Sequence, residues 1–305
     1  MTKGFVTIAT GREEYYKLAS NLLASYKYHT TRPMPWAILC DEENEYTRQF
    51  DDVILLKDAT RSLWDKMFLL DRVPYDESIF IEADCLAYRD LNGLWKVFRK
   101  APDFGCLGDV LPMDSPVGFL NPSHLGKFSD KVDHQYVLQG GVYFFRKSPL
   151  LERFSETCHD IHMHFSEYQF RVPTEEAVYT LASAAYGFEP VSNWFNVFCF
   201  LPDSDIIEMD LRKGALKFTW KLAGWRIYDG KYLVHWTTEG TRGDLYRREA
   251  DAAQSLCAEG VHPSFFARMR MKDIRMKDSF AELFRQSIPR SLRPAFVWGK
   301  KRNNN

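Results

Sequence analysis

The chain has 305 residues, 45% of them apolar, which is enough for a substantial core in one large or two ordinary domains of about 150 residues each. Its 40 Lys and Arg stand against 41 Asp and Glu, a balance that removes any global charge argument for nucleic acid or for an acidic polymer. Six cysteines at positions 40, 85, 106, 158, 199 and 257 form no Cys-x-x-Cys pair, so neither a zinc framework nor a disulfide scaffold is indicated, and a reducing cytoplasm is the expected location.

The opening MTKGFVTIATG runs straight into an apparent strand without the regions of a signal peptide, and no apolar run reaches about 18 residues, so no export and no membrane span is expected. GFVTIATG reads as a buried strand ending in glycine, and REEYYKLASNLLASYKYH follows with Tyr15, Leu18, Leu22 and Tyr26 at helical spacing. The pattern repeats in PWAILCD and EENEYTRQF, then in DVILL and ATRSLWDKMFLLDRV, before the strand SIFIEAD. Such alternation predicts an α/β fold with a parallel sheet and helices on both faces. Ligands of these sheets bind beyond the carboxyl ends of the strands, where Thr10, Gly11, Asp41, Glu82 and Asp84 fall. No Gly-x-Gly-x-x-Gly and no Walker-type lysine loop stands there, which weighs against a Rossmann dehydrogenase or a phosphate-loop NTPase.

Beyond residue 100 the pattern is less regular. LQGGVYFFRKS reads as a strand entered through Gly140 and Gly141, SPLLERFSETCHDIHMHFSEYQF and PTEEAVYTLASAAYG read as helices, and KYLVHWTTEG reads as a strand leading into a loop. Cys158, His159, His162 and His164 raise the question of a metal site, but His164 lies on a different helix face from His159. After residue 260 the composition changes: eleven Lys and Arg against three Asp and Glu give this segment a net +8.

The stretch SIFIEADCLAYRDL drives an apolar run into Glu82 and Asp84. Residues two apart on a strand point to the same side, and two carboxylates there suit a hard divalent cation with room left for phosphate oxygens and water. The alternatives are a solvated acidic pair or one capped by an arginine such as Arg89.

In order along the chain, six features resemble GT-A glycosyltransferases, closest to the retaining family 8 group that includes glycogenin and bacterial lipopolysaccharide galactosyl- and glucosyltransferases. They are the strand and tyrosine helix VTIATGREEYYKLASNLLASYKYH, the lysine of LWDKMFLL, the acidic motif EADCLAYRDL, the strand QGGVYFF, the acidic pair of TEEAVYTLA and the histidine strand YLVHWTTEG. The resemblance implies a GT-A, Rossmann-like mixed sheet whose N-terminal half is mainly parallel. It also implies a Mn2+ (or Mg2+) ion and a UDP-sugar donor. Asp84 and His235 would ligate the metal, with Glu82 a third ligand or a partner of the ribose. Thr7, Ala9, Thr10 and Tyr15 would surround the nucleobase, and Lys66 and Arg242 would lie near donor phosphate or sugar. Gly140 and Gly141 would let backbone approach the sugar, and Glu175 and Glu176 would stand by the anomeric carbon.

The chain departs from the family pattern at Glu82, where aspartate is usual, at Gln139 in place of asparagine, at the pair Glu175-Glu176 and in the loop GTRGDLYRRE, which leaves Arg242 as its nearest cation. Gln139 bears on acceptor positioning. Retention of configuration is implied, through a covalent intermediate or by departure and attack on one face, with Glu176 as nucleophile or electrostatic stabiliser.

The expected organisation is a GT-A domain at 1–260, with a nucleotide-binding half at 1–100 and an acceptor half at 101–260, followed by a basic amphipathic helical tail at 261–305. Such a tail lies on an anionic membrane, at its inner face, or docks on the core. The partners expected are a nucleotide sugar and a glycan or lipid-linked acceptor, with no nucleic acid. Two other functions compete: a nucleotidyltransferase, for which ATGREEYYK offers little of the glycine- and basic-rich signature, and a noncatalytic sugar-nucleotide or glycan-binding protein.

Overall fold

The computed structural model describes residues 1–191, 197–199, 204–220, 226–229 and 232–260. The tail at 261–305, and with it the expected basic helix, lies outside them. The chain forms two compact units, the first made of Met1–Ser20, Met34–Ala83 and Asn92–Asn193, the second of Asn21–Pro33, Asp84–Leu91 and the described residues after Asn193.

Twelve strands are present among the described residues: β1 Lys3–Ala9, β2 Trp36–Cys40, β3 Asp52–Leu55, β4 Glu77–Ile81, β5 Cys85–Ala87, β6 Phe104–Pro112, β7 His134–Arg146, β8 Val197–Cys199, β9 Ser204–Asp210, β10 Ala215–Trp220, β11 Arg226–Asp229 and β12 Leu233–His235. Among the described residues the helices longer than two turns are α1 Glu13–His29, α2 Pro149–Met163, α3 Glu175–Tyr186 and α4 Asp244–Ala258.

The first unit is built on a six-stranded sheet in the order β3-β2-β1-β4-β7-β6. β1 pairs in parallel with β2 (Val6↔Ala37) and with β4 (Phe5↔Ile79), and β3 extends the parallel run from β2. β7 then enters antiparallel to β4 (Phe80↔Tyr143) and to β6 (Leu107↔Gln139), so the parallel half predicted from strand and helix alternation is completed by two antiparallel strands. β2 and β4 are buried along their whole length, as expected of strands covered on both faces. Val6, Ile8, Phe80 and Tyr143 join Phe154 of α2 and Tyr179 of α3 in one core. On the opposite face Phe5 packs against Trp36 and Trp95, and Phe144 stacks on Phe98.

Two predicted helices are shorter than their spacing suggests. EENEYTRQF forms only the 3-10 turn Thr47–Gln49, because the Asn44 side chain accepts the backbone N–H groups of Tyr46 and Thr47 and so competes with helix hydrogen bonding. The segment ATRSLWDKMFLL begins as a loop, with the Asp65 carboxylate accepting the N–H groups of Thr60 and Arg61, and continues as the 3-10 helix Leu63–Phe68. In α1 the inward tyrosine near the N-terminus is Tyr16 rather than Tyr15, which is 36% exposed. Its acidic first turn and basic last turn complement the helix dipole.

In the second unit β12 lies between β5, antiparallel, and β8, parallel, with His235 opposite Cys85. A separate antiparallel sheet runs β11-β10-β9. The buried carboxylate of Glu249 in α4 ties this unit together, accepting hydrogen bonds from the Leu211 N–H at 2.6 Å and from the Tyr88 hydroxyl at 3.1 Å. No helix among the described residues is long and apolar enough to cross a membrane.

Candidate functional site

β1 is the point where the direction of the first sheet's connections reverses, since β2 and β3 extend it one way and β4 the other. Residues just past the carboxyl ends of these strands are therefore where a ligand of the first unit is expected.

At the end of β4, Lys66 reaches in from the 3-10 helix. Its Nζ lies 2.7 Å from Glu82 Oε2 and 2.8 Å from Glu175 Oε1. Burial alone pushes the ammonium pKa down, but the two carboxylates outweigh it and hold the pKa above the ordinary lysine value. The Tyr179 hydroxyl donates to the Lys66 carbonyl at 3.1 Å, which fixes the turn that carries the lysine. Glu175 and Glu176 open α3, where carboxylates are favoured by the helix dipole. Glu176 turns the other way from its neighbour: its Oε1 accepts the Gly140 N–H at 2.7 Å. A Cβ on residue 140 would come within 2.3 Å of that oxygen, so glycine is required for the approach. Gly141 accepts the Glu82 N–H at 3.0 Å, and Gln139 sits half-buried one residue earlier on β7.

The end of β1 is organised by two carboxylates. Asp65, buried, accepts hydrogen bonds from the Thr10 hydroxyl at 2.7 Å and from the backbone of Thr60 and Arg61. Asp41 accepts from the Gly11 N–H at 3.0 Å, from the Tyr16 hydroxyl at 2.5 Å and from Arg61 Nε at 2.8 Å. Burial pushes the Asp41 carboxyl up, but these three donors prevail and leave its pKa below the usual range. The Tyr16 phenol is raised, by burial first and then by Asp41. Thr7 and Ala9 are buried within β1, and Tyr15 faces outward from the start of α1.

In the second unit the pairing of β12 with β5 brings His235 to Asp84. His235 Nε2 and Asp84 Oδ1 are 3.1 Å apart and largely buried, within ion-pair distance but not aligned as a hydrogen bond. The Asp84 carbonyl accepts the Trp236 N–H at 3.1 Å, which locks the two segments in register. Two ligands held at about 2.1 Å on adjacent corners of an octahedral cation stand about 3.0 Å apart, so this pair fits two coordination positions of one ion. Among the described residues no group of three or more His, Cys, Asp and Glu converges on one point. Arg242 is exposed on the turn before α4.

The histidines of α2 go to separate partners. His159 Nε2 pairs with Asp71 Oδ2 at 2.7 Å, His162 packs tilted against Trp64 at 4.3 Å between ring centroids, and His164 Nδ1 bonds the Asp160 carbonyl at 2.9 Å. Sequence reasoning missed Arg61 and Asp65, whose spacing is that of an ordinary capped turn. It also missed Tyr143, a buried phenol raised by burial and then by Glu175, Glu176 and Glu82, whose hydroxyl has no hydrogen-bond partner among the described residues.

No family model matches the chain, and no curated protein matches its sequence. Solved structures do. The galactosyltransferase LgtC in complex with donor and acceptor sugar analogues superposes with a TM-score of 0.51 at 12% identity, over 83% of this chain and 95% of that one. Mouse xyloside xylosyltransferase 1 gives 0.48 at 11% identity, over 79% of this chain and 99% of that one. The glycosyltransferase GlyE of Streptococcus pneumoniae TIGR4 gives 0.42 at 14% identity, over 63% and 45%. The likeness to LgtC shows that the chain has the GT-A fold, as the sequence resemblance implies.

Proposed function

We propose that the protein is a metal-dependent glycosyltransferase that moves a hexose from a UDP-sugar to a glycan or glycolipid acceptor with retention at the anomeric carbon. The observation that carries this reading is the Asp84–His235 pair, an imidazole nitrogen and a carboxylate oxygen 3.1 Å apart in a largely buried position, on a GT-A fold. An imidazole in the set favours Mn2+ over Mg2+. When bound, the ion supplies positive charge to the departing diphosphate.

The chain's own residues do the rest. Asp84 and His235 hold two positions of the ion, with Glu82 a third ligand or a contact to ribose, and nucleotide oxygens and water complete the shell. Thr7, Ala9, Thr10 and Tyr15 form the nucleobase end of the donor site, and Gly140 and Gly141 present bare backbone to the sugar. Lys66 fixes Glu175 through its 2.8 Å ion pair, and the Gly140 N–H orients Glu176 at 2.7 Å. Glu176 is then a fixed carboxylate for the positive charge that develops at the anomeric carbon, as stabiliser or as nucleophile. Gln139 positions the acceptor, and Arg242 meets donor phosphate as a bidentate donor. The site of action is the cytoplasm, with the basic segment after residue 260 holding the enzyme at an anionic membrane surface.

The test is calorimetric titration of UDP with Mn2+ and then with chelator, followed by UDP release from a panel of UDP-hexoses. Mn2+-dependent binding is expected, and Asp84→Asn and His235→Ala should each weaken it by at least about tenfold, since a metal ligand is worth more than its supporting contacts, with melting little changed. Equal affinity with and without metal, or in both variants, overturns the reading.

A further inference from the structure

Arg61 sits at the end of β1 in a conformation that side chains rarely adopt, with φ at +59°. It lies over Gly11, itself at φ +86°, where a Cβ would come within 2.9 Å of the Arg61 Cβ, so only bare backbone admits the arginine. The surroundings hold it there. Its N–H donates to Asp65 Oδ2 at 2.9 Å and its Nε to Asp41 Oδ2 at 2.8 Å, while Asp41 Oδ1 is occupied by Gly11 and Tyr16. The Asp41 side chain is 6% exposed and that of Arg61 is 68% exposed, so the carboxylate is inside and the guanidinium points outward. The Nη groups have no hydrogen-bond partner among the described residues. A non-glycine residue kept at positive φ by this many contacts is the pattern found where strain serves a ligand.

We propose that Arg61 reads the nucleobase of the donor, its Nη groups donating to the carbonyl oxygen at C4 of a pyrimidine or C6 of a purine, and so selecting uracil or guanine over cytosine or adenine, which carry an amino group at that position. The location supports a nucleotide contact, because the end of β1 is the switch point of the sheet. The charge decides which part of the nucleotide. Asp41 cancels the charge of Arg61, so the fork offers directed N–H donors and a planar face rather than net attraction for a polyphosphate. A carbonyl oxygen accepts those donors, whereas an amino group opposite them sets donor against donor. Asp41 is a positioning residue in this scheme.

The inference rests on the nucleotide-sugar reading, and one pair of ligands separates the two. UDP and CDP carry the same phosphates and ribose and differ at C4, a carbonyl in one and an amino group in the other. Titrated with Mn2+ present, the wild-type protein should favour UDP by about tenfold or more, the range of one good base-edge contact. Arg61→Gly keeps the left-handed backbone without strain; it should weaken UDP and bring the ratio within about threefold. Arg61→Lys keeps the charge without the fork and should lose the ratio as well. A variant that weakens both nucleotides equally, or neither, overturns the inference while the donor reading stands, as does a wild-type protein that binds both alike. A wild-type protein that binds no nucleotide overturns the donor reading itself.

Discussion

Lys66→Met is the substitution whose cost follows most directly from the geometry. The lysine side chain is 19% exposed and sits between Glu82, 16% exposed, and Glu175, 3% exposed. Methionine fills the same volume but leaves two largely buried carboxylates without their shared ammonium. Removing one partner from a buried pair costs about 3–5 kcal/mol, because the group left behind has lost water and gained nothing. For a chain of this size that is a fall in Tm of about 6–20 °C. Glu175→Gln alone leaves Lys66 with Glu82 and should cost less than half as much. In the double variant the more buried charge is gone, so the loss should fall well short of the two single losses added together. The pH dependence has a definite sign. Burial lowers the Lys66 pKa, the two carboxylates raise it by more, and the folded value lies above the ordinary one. Its stabilisation is therefore complete below about pH 10 and is lost only as pH rises through the folded pKa. Melting by circular dichroism between pH 7 and 10 should show a constant deficit for Lys66→Met. A deficit under about 1 kcal/mol, or additivity in the double variant, refutes the account.

Gly140→Ala places a methyl group where Glu176 Oε1 would be 2.3 Å away, so the carboxylate must swing off the Gly140 N–H. UDP release should slow by about tenfold or more, in kcat rather than KM, because a displaced catalytic group is felt in the transition state; an unchanged kcat removes Glu176 from the chemistry. Tyr143→Phe deletes a buried hydroxyl that has no partner among the described residues. Since an unsatisfied buried hydroxyl costs about 1–3 kcal/mol, Tm should hold or rise, and a fall of several degrees contradicts that. The His159–Asp71 contact raises the histidine pKa through its hydrogen bond, against burial. Burial raises Asp71, but the histidine and Ser155 hold it lower overall. A raised histidine contributes below about pH 6.5 and is lost above it, and a lowered aspartate contributes above about pH 4. The Tm gap between wild type and His159→Ala should be widest between those limits. At this exposure it is worth about 0.2–1 kcal/mol, and a gap that is flat from pH 4 to 9 counts against the pairing.

The parallel half of the first sheet was legible because β1, β2 and β4 are buried on both faces, which writes them as continuous apolar runs. β6 was not, since FGCLGDVLP carries two glycines, an aspartate and a terminal proline and lies at the sheet edge. The shortened helices after β2 and β3 were hidden for a related reason: Asn44 and Asp65 bond the backbone locally, and a side chain that competes with helix hydrogen bonds leaves the apolar spacing untouched. The acids and the histidine of the site stood out by their positions at strand ends. The way they pair did not, because Lys66 and Glu175 are more than a hundred residues apart and meet only where α3 packs on the 3-10 helix that carries the lysine. Arg61 was invisible for a further reason, since its role depends on a positive φ that no residue type in TRSLWD announces.

That pairing changes how the charges past β4 are balanced. Glu82 and Asp84 pose a problem of like charges two residues apart in sequence, and one shared cation is its simplest solution. In the structure each acid has its own nitrogen partner instead, Lys66 at 2.7 Å for Glu82 and His235 at 3.1 Å for Asp84. The two partners are not equivalent. Lys66 is charged at any physiological pH and is already divided between two carboxylates, so the three groups together carry −1, and they offer no net attraction to a diphosphate. An imidazole beside a carboxylate is, in the reading proposed above, a ligand pair for a divalent cation rather than a finished ion pair. Nucleotide affinity should therefore stay low without metal even though Lys66 is present. Titrating UDP with Mn2+ and then with chelator checks this for the wild type and for Lys66→Met. Affinity that is as strong in chelator as with Mn2+, and that is lost in Lys66→Met, would mean that the positive charge for the phosphates comes from Lys66 after all.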